Sequence, residues 1–404
     1  MTALVAKPLR VALLIGSLAH GGAERQLVTL ACGLRRRGHA VQVLTLRPGN
    51  DYATELEAAG VRVSCLEVPL LRPWWTARGK LGALAALTRT LRTLHTVRPD
   101  ILHCWLFEAE AWGLLAKLFA APGRLVTIRG NMGNDLTRSP WRRLVRACTN
   151  LLAAAVISNS SLLARHALRT ELLLRRSRVY VIRNGLDAEA IERIPPADRS
   201  ALPAGIPADA PLVACVANLF AYKGHEDLIR AWATVHRAMP SAHLLLIGRD
   251  EGRGDALGAL AHDVGVGRVV HVLGGRADAV ALVKLARVFV LPSHEEGLPN
   301  AVIEAMLAGV PVVATRVGGM PEAVRHDRTG LLVEAGDVAA LGGALVRLLD
   351  DAELAGRLAR RARISASRRF SAERLIAGHL EVYRSTWRHR HGSGPVPATS
   401  TWSR

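Results

Sequence analysis

Two carboxylates, Glu296 and Glu304, bracket the start of an apolar segment that runs to Pro311. Pro299 suits a first helical turn, and Gly309 followed by Pro311 is a stop, so the spacing predicts a helix over Pro299–Ala308. Ala301, Val302, Ile303, Ala305, Met306, Leu307 and Ala308 make that helix apolar on every side, the pattern of a buried helix, with Glu304 its one charge. A buried carboxylate is costly unless its oxygens are hydrogen-bonded. Its partner is either a core arginine, Arg316 for instance, or the two hydroxyls of a ligand such as a ribose diol. Glu296 stands just before the helix, at the end where free N–H groups and the macrodipole favour an anion. One loop thus carries groups for a sugar ring, a diphosphate and a ribose in sequence. A second segment adds a cation. Lysine occurs only at 7, 80, 117, 223 and 284, and Lys223 falls beside Gly224 at the end of an expected strand. That is a compact charge placed where phosphates gather, or else a solvated turn lysine.

The elements that must hold these groups alternate strictly. Short β-rich runs are Arg10–Ile15, Ala40–Leu46, Val61–Leu66, Ile101–Cys104, Leu125–Ile128, Ala155–Ser158 and Tyr180–Ile182. A second series is Leu212–Ala217, His243–Ile247, Val269–Val272, Val288–Leu291, Val310–Ala314 and Gly330–Val333. Segments of helical period, such as Gln26–Arg37 and Glu226–Met239, lie between most of them. Strand–helix alternation implies parallel sheets covered on both faces. The polar, Pro/Ala-rich stretch Asp187–Pro211 separates the two series. The expected fold class is therefore α/β, two facing Rossmann-like doubly wound domains with an interdomain cleft, and ligands sit beyond the carboxyl ends of the strands. The domains are expected at 1–187 and 188–375, with a C-terminal helix at 376–391 packing back on the first and a fraying tail at 392–404.

The segment around the two glutamates resembles a known family. The Glu-x7-Glu spacing of Glu296 and Glu304 comes with Leu291, Pro292 and Ser293 before it and Glu304-Ala-Met-x-x-Gly309-x-Pro311 after it. Val317-Gly318-Gly319-Met320-Pro321-Glu322 and Thr329–Val333 follow. This is similar to the retaining glycosyltransferases of family 4, which have the two-Rossmann-domain GT-B fold, over the whole second domain. The resemblance implies a nucleotide-diphosphate sugar as donor, a hydroxyl acceptor, no divalent metal and no cofactor. It makes Glu296 and Lys223 the catalytic pair, Lys223 meeting the donor diphosphate. It draws Glu304, Gly297, Leu298, Pro299, Asn300, Asn218, Arg276 and Gly22 into donor binding. Many relatives place an arginine where this chain has Asn218, and Arg276 is a candidate for a second charge or a base contact. In the first domain, His20-Gly21-Gly22 resembles the family's glycine loop, and Gly21 is assigned to the cleft. Asp100–Gly113 resembles a loop in which many relatives carry His-x-His. Here His103 is followed by Trp105, which is expected to pack on a sugar face. Arg129, after the next strand, is expected to point to the same cleft and reach acceptor or donor phosphate.

Composition narrows the setting. The chain has 404 residues, half of them hydrophobic, so it folds around ample core. No uncharged apolar run reaches the ~18 residues of a membrane span. Lys7 and Arg10 before Val11–Ala19 mimic a leader, but the run is short and feeds a helical segment, so a buried strand Leu9–Gly16 is expected. Five scattered cysteines, with no Cys-x-x-Cys, exclude a disulfide scaffold and a cysteine zinc site and fit a reducing cytosol. The formal net charge of +19 attracts an anionic partner. Trp74 and Trp75 sit among arginines, as do Trp141, Arg142 and Arg143, and tryptophan with arginine is what a bilayer interface favours. These five are expected membrane contacts, giving a cytoplasmic protein peripheral on the inner face of the membrane, with a lipid-linked acceptor and no nucleic-acid partner. The arginine run Arg357–Arg369 is expected on a solvated helix. Three other readings stand beside this one: a nucleotide-sugar epimerase of similar fold, a nucleic-acid binder, and a noncatalytic donor-binding relative.

Overall fold

The structure, a computed structural model, describes residues 7–19, 21–68, 77–120, 123–129 and 139–388. It divides into two compact units, Met1–Gly185 with Ala372–Arg404, and Leu186–Ser371. Both boundaries fall a few residues before those expected, because Asp187–Pro211 is not a free linker. Asp187 Oδ1 accepts the Ala190 N–H at 3.0 Å and caps the helix Ala188–Arg193, inside the second unit.

In the first unit the strands are β1 (Arg10–Ile15), β2 (Ala40–Thr45), β3 (Arg62–Cys65), β4 (Ile101–Trp105), β5 (Arg124–Arg129), β6 (Ala155–Ser158) and β7 (Val179–Val181). They form one parallel sheet in the order β3-β2-β1-β4-β5-β6-β7. The apolar run near the N-terminus is a central strand, with β2 on one side and β4 on the other. Val11 to Ile15 are almost wholly buried because helices cover both faces. One of these, Ala372–Arg388, comes from the far end of the chain and packs beside Gly22–Arg36.

In the second unit β8 (Leu212–Val216), β9 (His243–Ile247), β10 (Val270–Gly274), β11 (Val288–Leu291), β12 (Val312–Thr315) and β13 (Leu331–Val333) form a parallel sheet. Its order is β10-β9-β8-β11-β12-β13. The order reverses between β8 and β11, so the loops after these two neighbours diverge and leave a crevice at their carboxyl ends. The arginine run lies on the helix Ala352–Arg369. Leu354, Leu358, Ala362 and Ala366 line its buried side, while Arg360, Arg361, Arg363 and Arg368 are exposed.

Candidate donor site

The β8 loop and the β11 loop meet at the crevice of the second unit. After β8 the chain makes a short turn, Ala221–Lys223, and Gly224 starts the helix His225–Ala238. Gly224 has φ +72, and a Cβ there would lie 2.1 Å from the Pro292 carbonyl oxygen. Only glycine satisfies both demands. The result is that the Lys223 turn lies directly on the loop that carries Glu296. Lys223 Nζ donates to Glu296 Oε1 at 2.6 Å, with the side chains 17% and 8% exposed.

Further contacts hold Glu296 and its loop. Ser293 Oγ donates to the same oxygen at 2.7 Å and is itself fully buried. Thr315 Oγ1, at the end of β12, donates to the Ser293 carbonyl, tying the loop to the neighbouring strand. Gly318, φ +49, lies under the loop so closely that a Cβ would be 1.7 Å from the Glu296 carbonyl oxygen, and the Gly319 N–H donates to the Gly297 carbonyl at 2.7 Å. The His294 N–H donates to the Tyr222 carbonyl at 2.7 Å, and His294 Nε2 lies 2.8 Å from Asp227 Oδ2. Lys223 Nζ also stands 5.1 Å from the centroid of the Tyr222 ring.

Beneath the pair, burial pushes the Cys215 thiol up to about 12, an effect Lys223 opposes and Glu296 reinforces. Burial, and then the Lys223 charge, bring His225 down to about 4. The thiol is therefore protonated and the imidazole neutral at pH 7.

The helix after this loop is Asn300–Leu307, with Pro299 as its N-cap. It is not buried on every side as its composition suggests. Val302, Ile303, Ala305, Met306 and Leu307 are buried, whereas Ala301, Glu304 and Ala308 are only half-buried. The helical repeat puts those three on one stripe, so Glu304 occupies the more open face. Arg316, its suggested core partner, donates instead to Glu334 at 2.9 Å. Leu298 is a core residue, 3% exposed, so its side chain packs inward.

Two expected donor contacts have local structural work. Asn218 Oδ1 accepts the Arg249 N–H at 3.1 Å, fastening the β8 loop to the β9 loop. The Arg276 guanidinium forks onto Asp278 at 2.8 and 2.7 Å, which offsets the charge it was expected to offer.

The first-unit residues divide differently. Gly21 is the N-cap of the helix Gly22–Arg36, so both glycines stand at a helix start in the loop after β1. Arg129 is the last residue of β5, and its side chain lies outside the described residues, as do Trp74 and Trp75. Trp105 is a correction. It is 2% exposed and lies in the core, its ring stacked on His379 at 6.2 Å and 11°. β4 extends one residue beyond the expected strand, and the two-residue repeat then puts Trp105 on the same covered face as His103. It has no open face for a sugar. His103 Nδ1 pairs with the Tyr383 hydroxyl at 2.7 Å. Among the described residues no group of three or more His, Cys, Asp or Glu is arranged to hold a metal ion.

Ser293, Gly224 and Gly318 are site residues that motif reading left without a role. The signal was present, since each lies in or beside a quoted segment, but only their contacts assign the work.

Two parallel sheets of this topology, with a charged pair at one switch point, define a double Rossmann-like architecture. Comparison with known proteins carries the assignment further. Residues 210–351 match the family described as Glycosyl transferases group 1, and residues 20–190 match Glycosyltransferase Family 4. A D-inositol 3-phosphate glycosyltransferase of Xylanimonas cellulosilytica is 33% identical over 401 residues, 92% of this chain and 93% of that one. The lipopolysaccharide core biosynthesis glycosyltransferase LpsE of Rhizobium meliloti is 28% identical over 369 residues, covering 90% and 96%. The crystal structure of HepE from Anabaena in complex with UDP-glucose superposes with a TM-score of 0.80 at 25% identity, covering 93% of this chain and 100% of that one. The chain belongs to the group 1, family 4 glycosyltransferases and has their GT-B-type pair of α/β domains.

Proposed function

We propose that this chain is a retaining, metal-independent glycosyltransferase that moves a sugar from a nucleotide-diphosphate sugar to a hydroxyl acceptor in the assembly of a polysaccharide, lipopolysaccharide or glycolipid. The bond between the anomeric carbon and the distal phosphate oxygen breaks. The acceptor oxygen bonds to that carbon from the same side, and its proton passes to the departing diphosphate. Lys223, with the positive end of the helix Asn300–Leu307, stabilises the charge that grows on the leaving group. Glu296 orients the sugar through its hydroxyls, and Glu304 holds the ribose. The second unit is the donor side and the first the acceptor side.

The observation that carries this reading is the contact of Lys223 with Glu296 at the crevice between β8 and β11. The relatives named above add support through the UDP-glucose, inositol phosphate and lipopolysaccharide core in their descriptions. A thermal-shift panel of UDP-, GDP- and ADP-sugars tests it. One nucleotide class is expected to raise Tm by about 5 °C at saturation, and Lys223→Ala and Glu304→Ala to abolish the shift. Stabilisation that survives both substitutions removes the site assignment. Donor conversion to a new nucleotide sugar without acceptor makes the protein an epimerase.

A membrane setting has its own support. The helix Pro140–Leu152 is turned inside out. Its buried face carries Arg146, paired with Glu110 at 3.2 Å and Glu171 at 3.0 Å, and Asn150, which donates to Glu171 at 3.0 Å. Trp141, Leu144, Leu151 and Leu152 face outward, 49%, 65%, 50% and 39% exposed. Leu115, Leu118 and Phe119 are exposed on the neighbouring helix Leu106–Ala120. Arg142 lies over the Phe107 and Trp141 rings, and Arg143 is exposed. An outward apolar stripe flanked by arginine fits an anionic bilayer surface. Among the described residues no helix is long and apolar enough to cross a membrane; we propose a peripheral contact on the cytoplasmic face, carried by the outward stripe and its arginines. Flotation with vesicles containing phosphatidylglycerol is expected to recover the protein, and Trp141→Ala with Leu144→Ser to reduce recovery about tenfold. Equal recovery of the variant removes this face as the contact.

A further inference from the structure

We infer that the Lys223–Glu296 pair, steered by Ser293, is the resting occupant of the diphosphate subsite, so that an arriving diphosphate takes Lys223 from Glu296 and frees the carboxylate for the sugar. The inference deepens the proposed function and rests on it.

The geometry sets the conflict. Lys223 and Glu296 are both assigned to the donor, yet they are bonded to each other at 2.6 Å. Ser293 Oγ donates to the same Glu296 oxygen at 2.7 Å, so Oε1 already receives two donors. Glu296 cannot present that oxygen to a sugar hydroxyl while it holds both. Nor can the ammonium give its full charge to phosphate while a carboxylate neutralises it at this distance. Both side chains are largely buried, so neither charge is left without a partner when the site is empty. A diphosphate carries more negative charge than a carboxylate and competes for Lys223. Ser293, whose backbone carbonyl is fixed by Thr315, stays behind as the hydroxyl that still holds Oε1. The exchange is one of partners only; no covalent bond changes. It orders events at that oxygen, since Oε1 becomes available to the sugar only once the diphosphate is seated. Ser293 is a positioning residue in this scheme, acting through Glu296.

The discriminating sign is that removing a residue of the site should tighten nucleotide binding. UDP and GDP are titrated by calorimetry into the full-length protein and into Glu296→Gln, Ser293→Ala and Lys223→Met. Glu296→Gln keeps the shape of the side chain and releases Lys223. Its Kd for the preferred nucleotide is expected to fall about fivefold, since the diphosphate no longer competes with a carboxylate for Lys223. Sugar transfer or donor hydrolysis should fall at the same time. Ser293→Ala keeps both charges and loosens the clasp, so it is expected to tighten the nucleotide about twofold, a direction a merely structural loss would not produce. Lys223→Met is expected to weaken it more than tenfold. Nucleotide that binds the parent protein but binds Glu296→Gln and Ser293→Ala equally or more weakly overturns the exchange and leaves the glycosyltransferase reading intact. If neither nucleotide binds the parent protein, the donor-site reading fails and the exchange with it.

Discussion

The two units share a strand order over six strands, the first adding a seventh at its edge, and differ in what fills the point where the order reverses. In the second unit, between β8 and β11, the crevice carries an ion pair between Lys223 and Glu296, bounded by glycines that let backbones touch. In the first unit, the end of β4 beside β1 carries Trp105, closed over by His379, which packs in turn on Tyr383 of the same helix Ala372–Arg388. Nearby, Arg47 and Glu108 pair at 2.8 Å with both side chains substantially exposed. One topology thus supports a partly buried charged site in one unit and an aromatic core in the other. Topology supplies the crevice, and side chains decide whether it binds or packs. The division of labour has a physical basis. A charge at a strand end persists only where a partner neutralises it, whereas a tryptophan there gains most by full burial.

The largest effect that sharpens this contrast is expected at Trp105. Trp105→Ala should cost about 3–5 kcal/mol of stability in the first unit by leaving a cavity against His379. Chemical denaturation measures it, and donor binding in the second unit should persist below the transition. A loss of donor affinity with little change in stability would falsify the core assignment. Lys223→Ala is expected to lower transfer about 100- to 1,000-fold, as for removal of one preorganised donor, with a smaller midpoint shift than Trp105→Ala because Ser293 still donates to the Glu296 carboxylate left behind. A midpoint shift as large as that of Trp105→Ala would make Lys223 a structural residue.

Acid tests the two cores side by side. Burial holds His379 down at about 4 in the first unit, partly offset by its bond to the Leu375 carbonyl. Burial and the Lys223 charge hold His225 at about 4 in the second. The unfolded chain takes these protons near pH 6.5, before the folded one. The stability each neutral imidazole supports is therefore whole above pH 6.5 and lost as pH falls from there towards 4, to at most about 3 kcal/mol each. His379→Phe should reduce this acid arm for the first unit alone, leaving the part carried by the buried His103 beside it, read by hydrogen exchange across β4 and Ala372–Arg388. Unchanged exchange at pH 5 would assign the arm to other groups.

The smallest effect is expected at Gly318. Gly318→Ala meets both a left-handed backbone and the Glu296 carbonyl, and should cost about 1–3 kcal/mol, confined to the second unit. Donor affinity should fall about tenfold as the loop shifts. An unaltered affinity would mean that the loop position does not set the site.

Much of this frame is legible in the amino-acid order. All thirteen described strands lie where short β-rich runs put them, and the central ones carry continuous apolar runs because they are buried on both faces. Glu296, Glu304 and Lys223 stand out because charges are scarce in such surroundings. The errors are also physical. The end of β4 differs by one residue, and in a structure with a two-residue repeat that decides whether Trp105 is read as open or covered. Composition alone gives the helix Asn300–Leu307 no open side, but its neighbours leave the Ala301–Glu304–Ala308 stripe half-buried.

By itself, then, the order of residues determined the alternation of elements, the division into two sheets and the groups available for chemistry, since periodicity and residue type are local properties. Only the tertiary structure decided which groups meet. Lys223 and Glu296 are 73 residues apart in the chain, and their contact depends on β8 and β11 lying side by side. His379 closes over Trp105 because the last described helix belongs to the first unit. No local pattern carries either fact, because each is set by packing between distant segments.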